Sequence, residues 1–221
     1  MSEIYIPPIE KEQPPYWEHI RKAEQELFPE FETEDFCIDS PETNNFYFAP
    51  NWHFREGLIT EEDIEHFKKN TEQKILSIGS GPAYLERLLV SLDIPKENIT
   101  LSDINPQDLP DDFEKETFNM LEKWPTLNNE EKFDLIIFPE NPSINVNFSG
   151  QKRIQAFVHI FSEALKNLNP DETIRITGNP NSTDLTKKVE KMLIKAGYPV
   201  IVQNITEKQD FGSLITVNYE T

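Results

Sequence analysis

Two short stretches have the residue types and spacing that a small-molecule site needs: the turn Gly79-Ser80-Gly81 and, 22 positions beyond Gly81, Asp103. Glycines placed directly after a buried strand let the backbone approach a ligand, and the N-terminus of the helix that follows has N–H groups to offer. A dinucleotide pyrophosphate calls for Gly-x-Gly-x-x-Gly. Here the third glycine position is Tyr84, and Pro82 lacks an N–H, so the pattern argues against that ligand. A Walker-type phosphate loop is excluded, because no Gly-Lys-Ser/Thr follows. An acid at the carboxyl end of the second strand of a doubly wound sheet can accept from both hydroxyls of a ribose. The competing reading of Asp103 is a carboxylate that opens an Asp103-Ile104-Asn105-Pro106 turn.

Two further side chains are candidates for proton transfer, though neither defines a catalytic centre. Glu140 follows a strong strand pattern and has the chemistry of a general base, against which stands its reading as a surface acid. His53 is a lone histidine, a type that more often has a structural partner than a catalytic one. It lies among the aromatics Phe48, Trp52 and Phe54, which suit a lid over a planar or cationic group and equally suit a sealed core. No cluster with metal-ligand spacing is present.

The elements that must position these residues follow from periodicity. Beyond Gln73, strand and helix patterns alternate, which predicts a doubly wound, mostly parallel seven-stranded α/β sheet with helices on both faces. Lys74 to Ile78 reads as the first buried strand and runs straight into the glycine turn, after which Leu85, Leu88, Leu89 and Leu92 form a helix stripe. Ile99 to Ser102 gives the second strand, ending at Asp103. A weaker strand is expected near Glu116 to Phe118 and a strong one at Phe133 to Phe138. Helical spacing from Ile154 to Leu168, a strand at Thr173 to Thr177, and a second helix stopped by Gly197 come next. The last two runs, Val200 to Thr206 and Phe211 to Tyr219, read as an antiparallel hairpin.

Ahead of this unit, residues 1–72 form a separate helical and irregular extension, and residues 73–221 the α/β domain. Prolines at 7, 8, 14 and 15 predict an extended arm through residue 15. Trp17, Ile20, Ala23, Leu27 and Phe28 then predict a helix ended by Pro29. Residues 29–57 have no clean period despite many aromatics. Thr60 and Asp63 mark a capping box, with Ile59 and Ile64 as its hydrophobic staple.

The net charge of -19 argues against a protein that tracks a nucleic-acid backbone. The N-terminal 72 residues hold 18 of the 40 acids and only 6 of the 21 bases, so the acidity concentrates there. That region suits a basic protein or peptide partner, against which stands the plainer reading of a solvated surface that keeps the protein soluble. No apolar run is long enough to span a membrane. The single cysteine, Cys37, and an N-terminus with no signal-peptide pattern lead to the expectation of a reducing cytoplasm.

In its order of motifs, residues 73–219 resemble the class I S-adenosylmethionine-dependent methyltransferases. In that family the first strand ends in Gly-x-Gly-x-Gly and the carboxypropyl end of the cofactor lies over the turn. The resemblance implies S-adenosylmethionine as cofactor, held by Gly79, Ser80, Gly81, Asp103, Ile104, Asn119, Met120 and Pro139. Asp103 would take the ribose, and Asn119 and Met120 the adenine. It departs from the family at Ala83, which replaces the third glycine, at Asn119, where an Asp is frequent, and at Ser77, where an acid is usual. The turn is also similar to that of nicotianamine synthases, which transfer an aminobutyl carboxylate unit. The activity implied is methyl transfer, with a small-molecule acceptor favoured by the acidic charge. The alternative is an inactive binding or scaffold protein on the same fold.

Overall fold

The structure is a computed structural model and describes residues 15–29, 37–40, 45–127, 131–139, 148–178, 183–205 and 213–220. Its first elements are helix α1 (Pro15–Leu27), the antiparallel pair β1 (Cys37–Ser40) and β2 (Asn45–Phe48), α2 (Pro50–Arg55) and α3 (Glu61–Lys69). The α/β unit follows as β3 (Ile75–Ile78), α4 (Tyr84–Ser91), β4 (Ile99–Asp103), β5 (Glu114–Thr117) and β6 (Phe133–Phe138). It is completed by α5 (Gly150–Asn167), β7 (Leu168–Gly178), α6 (Thr183–Lys195), β8 (Val200–Ile205) and β9 (Ser213–Tyr219). The strands form one seven-stranded sheet in the order β5-β4-β3-β6-β7-β9-β8. All neighbours are parallel except β9, which runs antiparallel to both β7 and β8.

Burial explains why some strands announce themselves in sequence and others do not. β3 is covered on both faces, and all four of its residues are buried, as is nearly all of β6; a parallel strand in that position is a near-continuous apolar run. β5 lies at the sheet edge and reads Glu-Lys-Glu-Thr, charges that discourage pairing with another chain and that hide the strand from a hydrophobicity reading. Side chains alternate between two apolar layers. Ile75, Leu135 and Ile137 face a layer shared with Leu85, Leu88 and Leu89 of α4, whereas Leu76, Ile136 and Phe138 face Phe157, Phe161 and Leu193 of α5 and α6. Ser77 falls on the α4 side by the same alternation.

The N-terminal residues pack into the first of these layers. Ile20, Phe28, Ala49, Phe54, Leu58, Ile59, Ile64 and Phe67 share it with the inward residues of β3 and α4. Three details differ from the sequence reading. α1 begins at Pro15, because a proline in the first turn gives up an N–H that has no helical partner anyway. Leu27 is exposed, and Glu24 takes a buried place on α1, where it accepts from the backbone N–H of Asn51 at 2.8 Å and from its side-chain amide at 2.6 Å. Glu24 thereby does for the start of α2 what its N-cap residue Ala49, without a capping side chain, does not. The β1–β2 pair and α2 also emerge from a stretch with no legible period.

The capping box at Thr60 and Asp63 is formed as its spacing predicts, with Ile59 and Ile64 buried beside it. Asp63 has a second role, because Arg175 of β7 grips its carboxylate with both guanidinium nitrogens, one at 2.9 Å, and also donates to the Leu58 carbonyl at 3.1 Å. Burial pulls the Asp63 pKa up, but Arg175 and Thr60 outweigh it and hold the group below its ordinary value. This pair ties α3 to the sheet 112 residues away in sequence. Arg175→Leu is expected to lower stability by about 3 kcal/mol in urea unfolding, because it strands a largely buried carboxylate. Thr60→Ala, which removes only the cap, is expected to cost about 1 kcal/mol. Equal losses would mean that packing, not the ion pair, fixes α3.

Candidate functional site

The sheet order reverses between β3 and β6, since the chain builds outward to β4 and β5 on one side and to β7 on the other. A crevice at the carboxyl ends of the strands beside such a reversal is where open α/β sheets take ligands. The Gly79–Gly81 turn leaves β3 at that point, and Asp103 ends the adjacent β4.

The turn is fixed by the end of β4. Gly79 and Ser80 both donate their N–H to the Ser102 carbonyl, at 2.7 and 3.1 Å, and Gly81 donates to the Asp103 carboxylate at 3.1 Å. Ala83 donates to the Ser80 carbonyl at 2.9 Å. With Pro82 lacking an N–H, the donors from Gly79 to Ala83 are therefore directed within the chain. The backbone is left-handed at Gly79 (φ 75°), Gly81 (φ 50°) and Ala83 (φ 59°). Ala83 adopts this left-handed conformation although it carries a side chain, and does so fully buried as the N-cap of α4.

Asp103 is half-buried and accepts from the Asn105 N–H at 3.0 Å as well as from Gly81. The turn-opening reading of this residue is what these bonds show, since its carboxylate accepts from the Asn105 N–H two residues on. Ile104 is 59% exposed, the most open large apolar side chain among the described residues, and it sits immediately beyond Asp103. Asn119 makes a local turn, its side-chain oxygen accepting from the Leu121 N–H at 3.0 Å and its amide donating to Glu122 at 3.1 Å. Met120 is partly buried against the α5 layer, and its carbonyl accepts from the Trp124 indole at 3.1 Å. Pro139 ends β6 and is buried, its carbonyl accepting from the Thr177 hydroxyl at 3.3 Å.

Of the proton-transfer candidates, Glu140 lies outside the described residues. His53 is 1% exposed, and burial depresses its pKa to about 3, so it is a neutral ring inside the protein. Trp52 and Phe54 are buried beside it on α2, and the side chain of Phe48 lies outside the described residues. Among the described residues, no group of three or more metal-binding side chains occurs, and no helix is long and apolar enough to cross a membrane.

A residue that motif spacing did not single out lies beneath the turn. Glu86, in the first turn of α4, has no exposed surface and accepts a hydrogen bond from the Ser77 hydroxyl. Burial pushes its pKa up to about 7, opposed by Ser77, by its own backbone N–H and by Ser80. The Ser80 hydroxyl donates to the Ser77 carbonyl at 2.9 Å, which closes a small polar cluster inside an apolar layer. The position that lacks an acid on β3 is thus in contact with an acid delivered from α4. The sequence signal was an acid inside a run of inward-facing leucines, following a serine in an otherwise apolar strand.

No protein-family model matches the chain, and no curated protein matches it in sequence. Among solved structures it is similar to the S-adenosylmethionine-dependent methyltransferase SibL in its apo form. The TM-score is 0.51 at 11% identity, over 94% of this chain and 70% of that one. It is also similar to DesVI of Streptomyces venezuelae, with a TM-score of 0.50 at 7% identity over 72% and 89%. The glycopeptide N-methyltransferase MtfA, in complex with S-adenosylmethionine, aligns at 0.46 and 11% over 71% and 92%. At these identities the likeness is one of fold. The mostly parallel seven-stranded sheet with its C-terminal antiparallel hairpin is the Rossmann-like fold of class I methyltransferases.

Two expectations follow for the turn. Glu86 binds its proton more tightly in the folded than in the unfolded chain, so the stability this contributes is complete below about pH 4.5 and is lost as pH rises through about 7. Relative to Glu86→Gln, the wild type should lose up to about 3 kcal/mol across that range, read from urea midpoints at each pH. At Ala83, glycine relieves the left-handed strain but frees the unfolded chain, so Ala83→Gly should stay within about 1 kcal/mol of wild type. Ala83→Val should lose more than about 2 kcal/mol, since a β-branched residue tolerates neither the backbone nor the packing there.

Proposed function

We propose that the protein is an S-adenosylmethionine-dependent methyltransferase acting on a small-molecule acceptor. The observation that carries this reading is the pairing of Gly79-Ser80-Gly81 with Asp103 at the carboxyl ends of β3 and β4, next to the strand-order reversal of a methyltransferase-type sheet. The donor set suits such a ligand better than an anionic one. Between Gly79 and Ala83 the N–H groups are engaged within the chain, so the turn has little to give a pyrophosphate. The groups that flank it, Asp103 and Glu86, are acids, which suit hydroxyls and positive charge.

In this reading Gly79, Ser80 and Gly81 give the backbone clearance for the carboxypropyl end, and Asp103 accepts from the ribose hydroxyls. Ile104 covers one face of the adenine, with Asn119, Met120 and Pro139 along its rim. When bound, the sulfonium supplies both the methyl group and the leaving group for an in-line displacement. The chain's own task is alignment of the acceptor, which requires no fixed triad. In the N-terminal segment α1 and α2 pack against α4, and in this reading that side supplies the wall of an acceptor pocket. A reducing cytoplasm suits the lone Cys37.

A second reading, a binding protein on this fold, is favoured by Asn119, whose amide is already engaged in its own turn. S-adenosylhomocysteine should raise the melting temperature of the wild type by several degrees, because it binds the folded state alone. Asp103→Ala should abolish that rise. Ile104→Ser should leave the unliganded melting temperature unchanged, since the side chain is exposed, yet weaken binding by about fivefold or more. No shift and no binding heat at millimolar ligand would refute the cofactor. Tight binding without methyl transfer to any acceptor would favour the second reading.

A further inference from the structure

The two carboxyl groups nearest the glycine turn stand in different electrical situations. Asp103 reaches solvent and takes N–H donors from Gly81 and Asn105. Glu86 has no exposed surface; one of its oxygens takes the Ser77 hydroxyl, and Oε2 has no partner among the described residues. A carboxyl in that environment keeps its proton to a higher pH than an exposed one, and a positive charge brought near releases it.

Among the described side chains, which do not include that of Arg55 on α2, the elements packed around Glu86 do not supply that charge. On α4 itself, Arg87 is half-exposed and turned to Asp112 at 3.9 Å. On α1, Arg21 lies beside Glu24, Lys22 pairs with Glu26 at the surface, and Glu24 is engaged by Asn51. On α2, burial keeps His53 neutral, and the end of β4 presents another acid, Asp103. The Glu86 pKa is accordingly raised by burial and opposed chiefly by the Ser77 hydroxyl, with no charged group among the causes. What connects Glu86 to the turn is polar: Ser77 donates to its carboxyl, and Ser80, itself part of the turn and buried, donates to the Ser77 carbonyl at 2.9 Å.

We propose that Glu86 is the buried counter-charge of the site, a positioning carboxyl that ionises when a cationic ligand settles on the Gly79–Gly81 turn, and that it serves from α4 in place of the acid β3 lacks at Ser77. The proposal rests on the cofactor reading above, since the cation in question is a ligand bearing an ammonium and a sulfonium. On binding, the Glu86 O–H bond breaks and the proton passes to the buffer. The Ser77 hydroxyl then donates to a full carboxylate, whose charge is balanced by the ligand. Affinity therefore rises with pH through the neutral range, because the free protein holds a proton that the complex does not.

The test is isothermal titration of the full chain with S-adenosylmethionine, in buffers of differing ionisation enthalpy, from about pH 6 to 8, for the wild type and the isosteric Glu86→Gln. Because the ligand's own amine also titrates, the deciding quantity is the difference in protons released between the two proteins. Near pH 6.5 the wild type is expected to release more protons than Glu86→Gln does, by roughly half a proton or more per ligand bound. Glu86→Gln is expected to bind about tenfold or more weakly at pH 8. Equal proton counts would overturn the proposal whatever the affinities, since a merely structural Glu86 would change affinity without changing protons. No binding heat with the wild type would overturn the cofactor reading, and this proposal with it.

Discussion

The rest of the site depends on how the chain leaves β3. Between Ile78 and Tyr84 it must turn from a strand buried on both faces into a helix lying against that same sheet, and it does so with left-handed backbone at residues 79, 81 and 83. The side chain at the last of these is a methyl group, small enough for a position that is fully buried. Since β4 takes up the turn's N–H groups through Ser102 and Asp103, the position of the turn is locked to the end of its neighbouring strand. Asp103 and the glycine turn are therefore one unit, and neither can move without breaking hydrogen bonds to the other.

Three acids are withdrawn from solvent in the layer that α1 to α4 form over the sheet, and each is stabilised differently. Glu24 is raised in pKa by burial and partly offset by the donors of Asn51, which lets it start α2. Asp63 has a guanidinium and a helix cap, and so stays ionised. Glu86 has only hydroxyl neighbours and burial, and so sits near neutrality. A carboxyl group thus acts as a helix acceptor, as a tether between distant segments, and as a group poised to change charge. Surroundings, not identity, decide which. Asp63 joins the N-terminal segment to the α/β unit by linking α3 to β7, whereas Glu24 links α1 to α2 within that segment.

The strands were legible in proportion to their burial. β3 and β6 read directly because both faces are covered, and the Thr60–Asp63 box and the Gly197 stop read directly because capping is local chemistry. β5 was faint because an edge strand has reason to be charged. The β1–β2 pair and α2 left no period, since four- to six-residue elements are too short to establish one. Leu27 and Glu24 exchanged their expected places on α1 because a carboxylate with two amide donors can be buried, and hydrophobicity alone does not capture that.

By itself the sequence determined the fold class, the seven strands, the glycine turn and the spacing from Gly81 to Asp103, all of which follow from local pattern and short-range chemistry. Only the tertiary structure decided which groups meet. It brought Arg175 to Asp63 and turned His53 into a neutral core residue. It also put Glu86 against the serine at the position where β3 has no acid. The physical reason is that the energy of a charge depends on what surrounds it, and for a buried group those surroundings come from elements that sequence spacing does not place together.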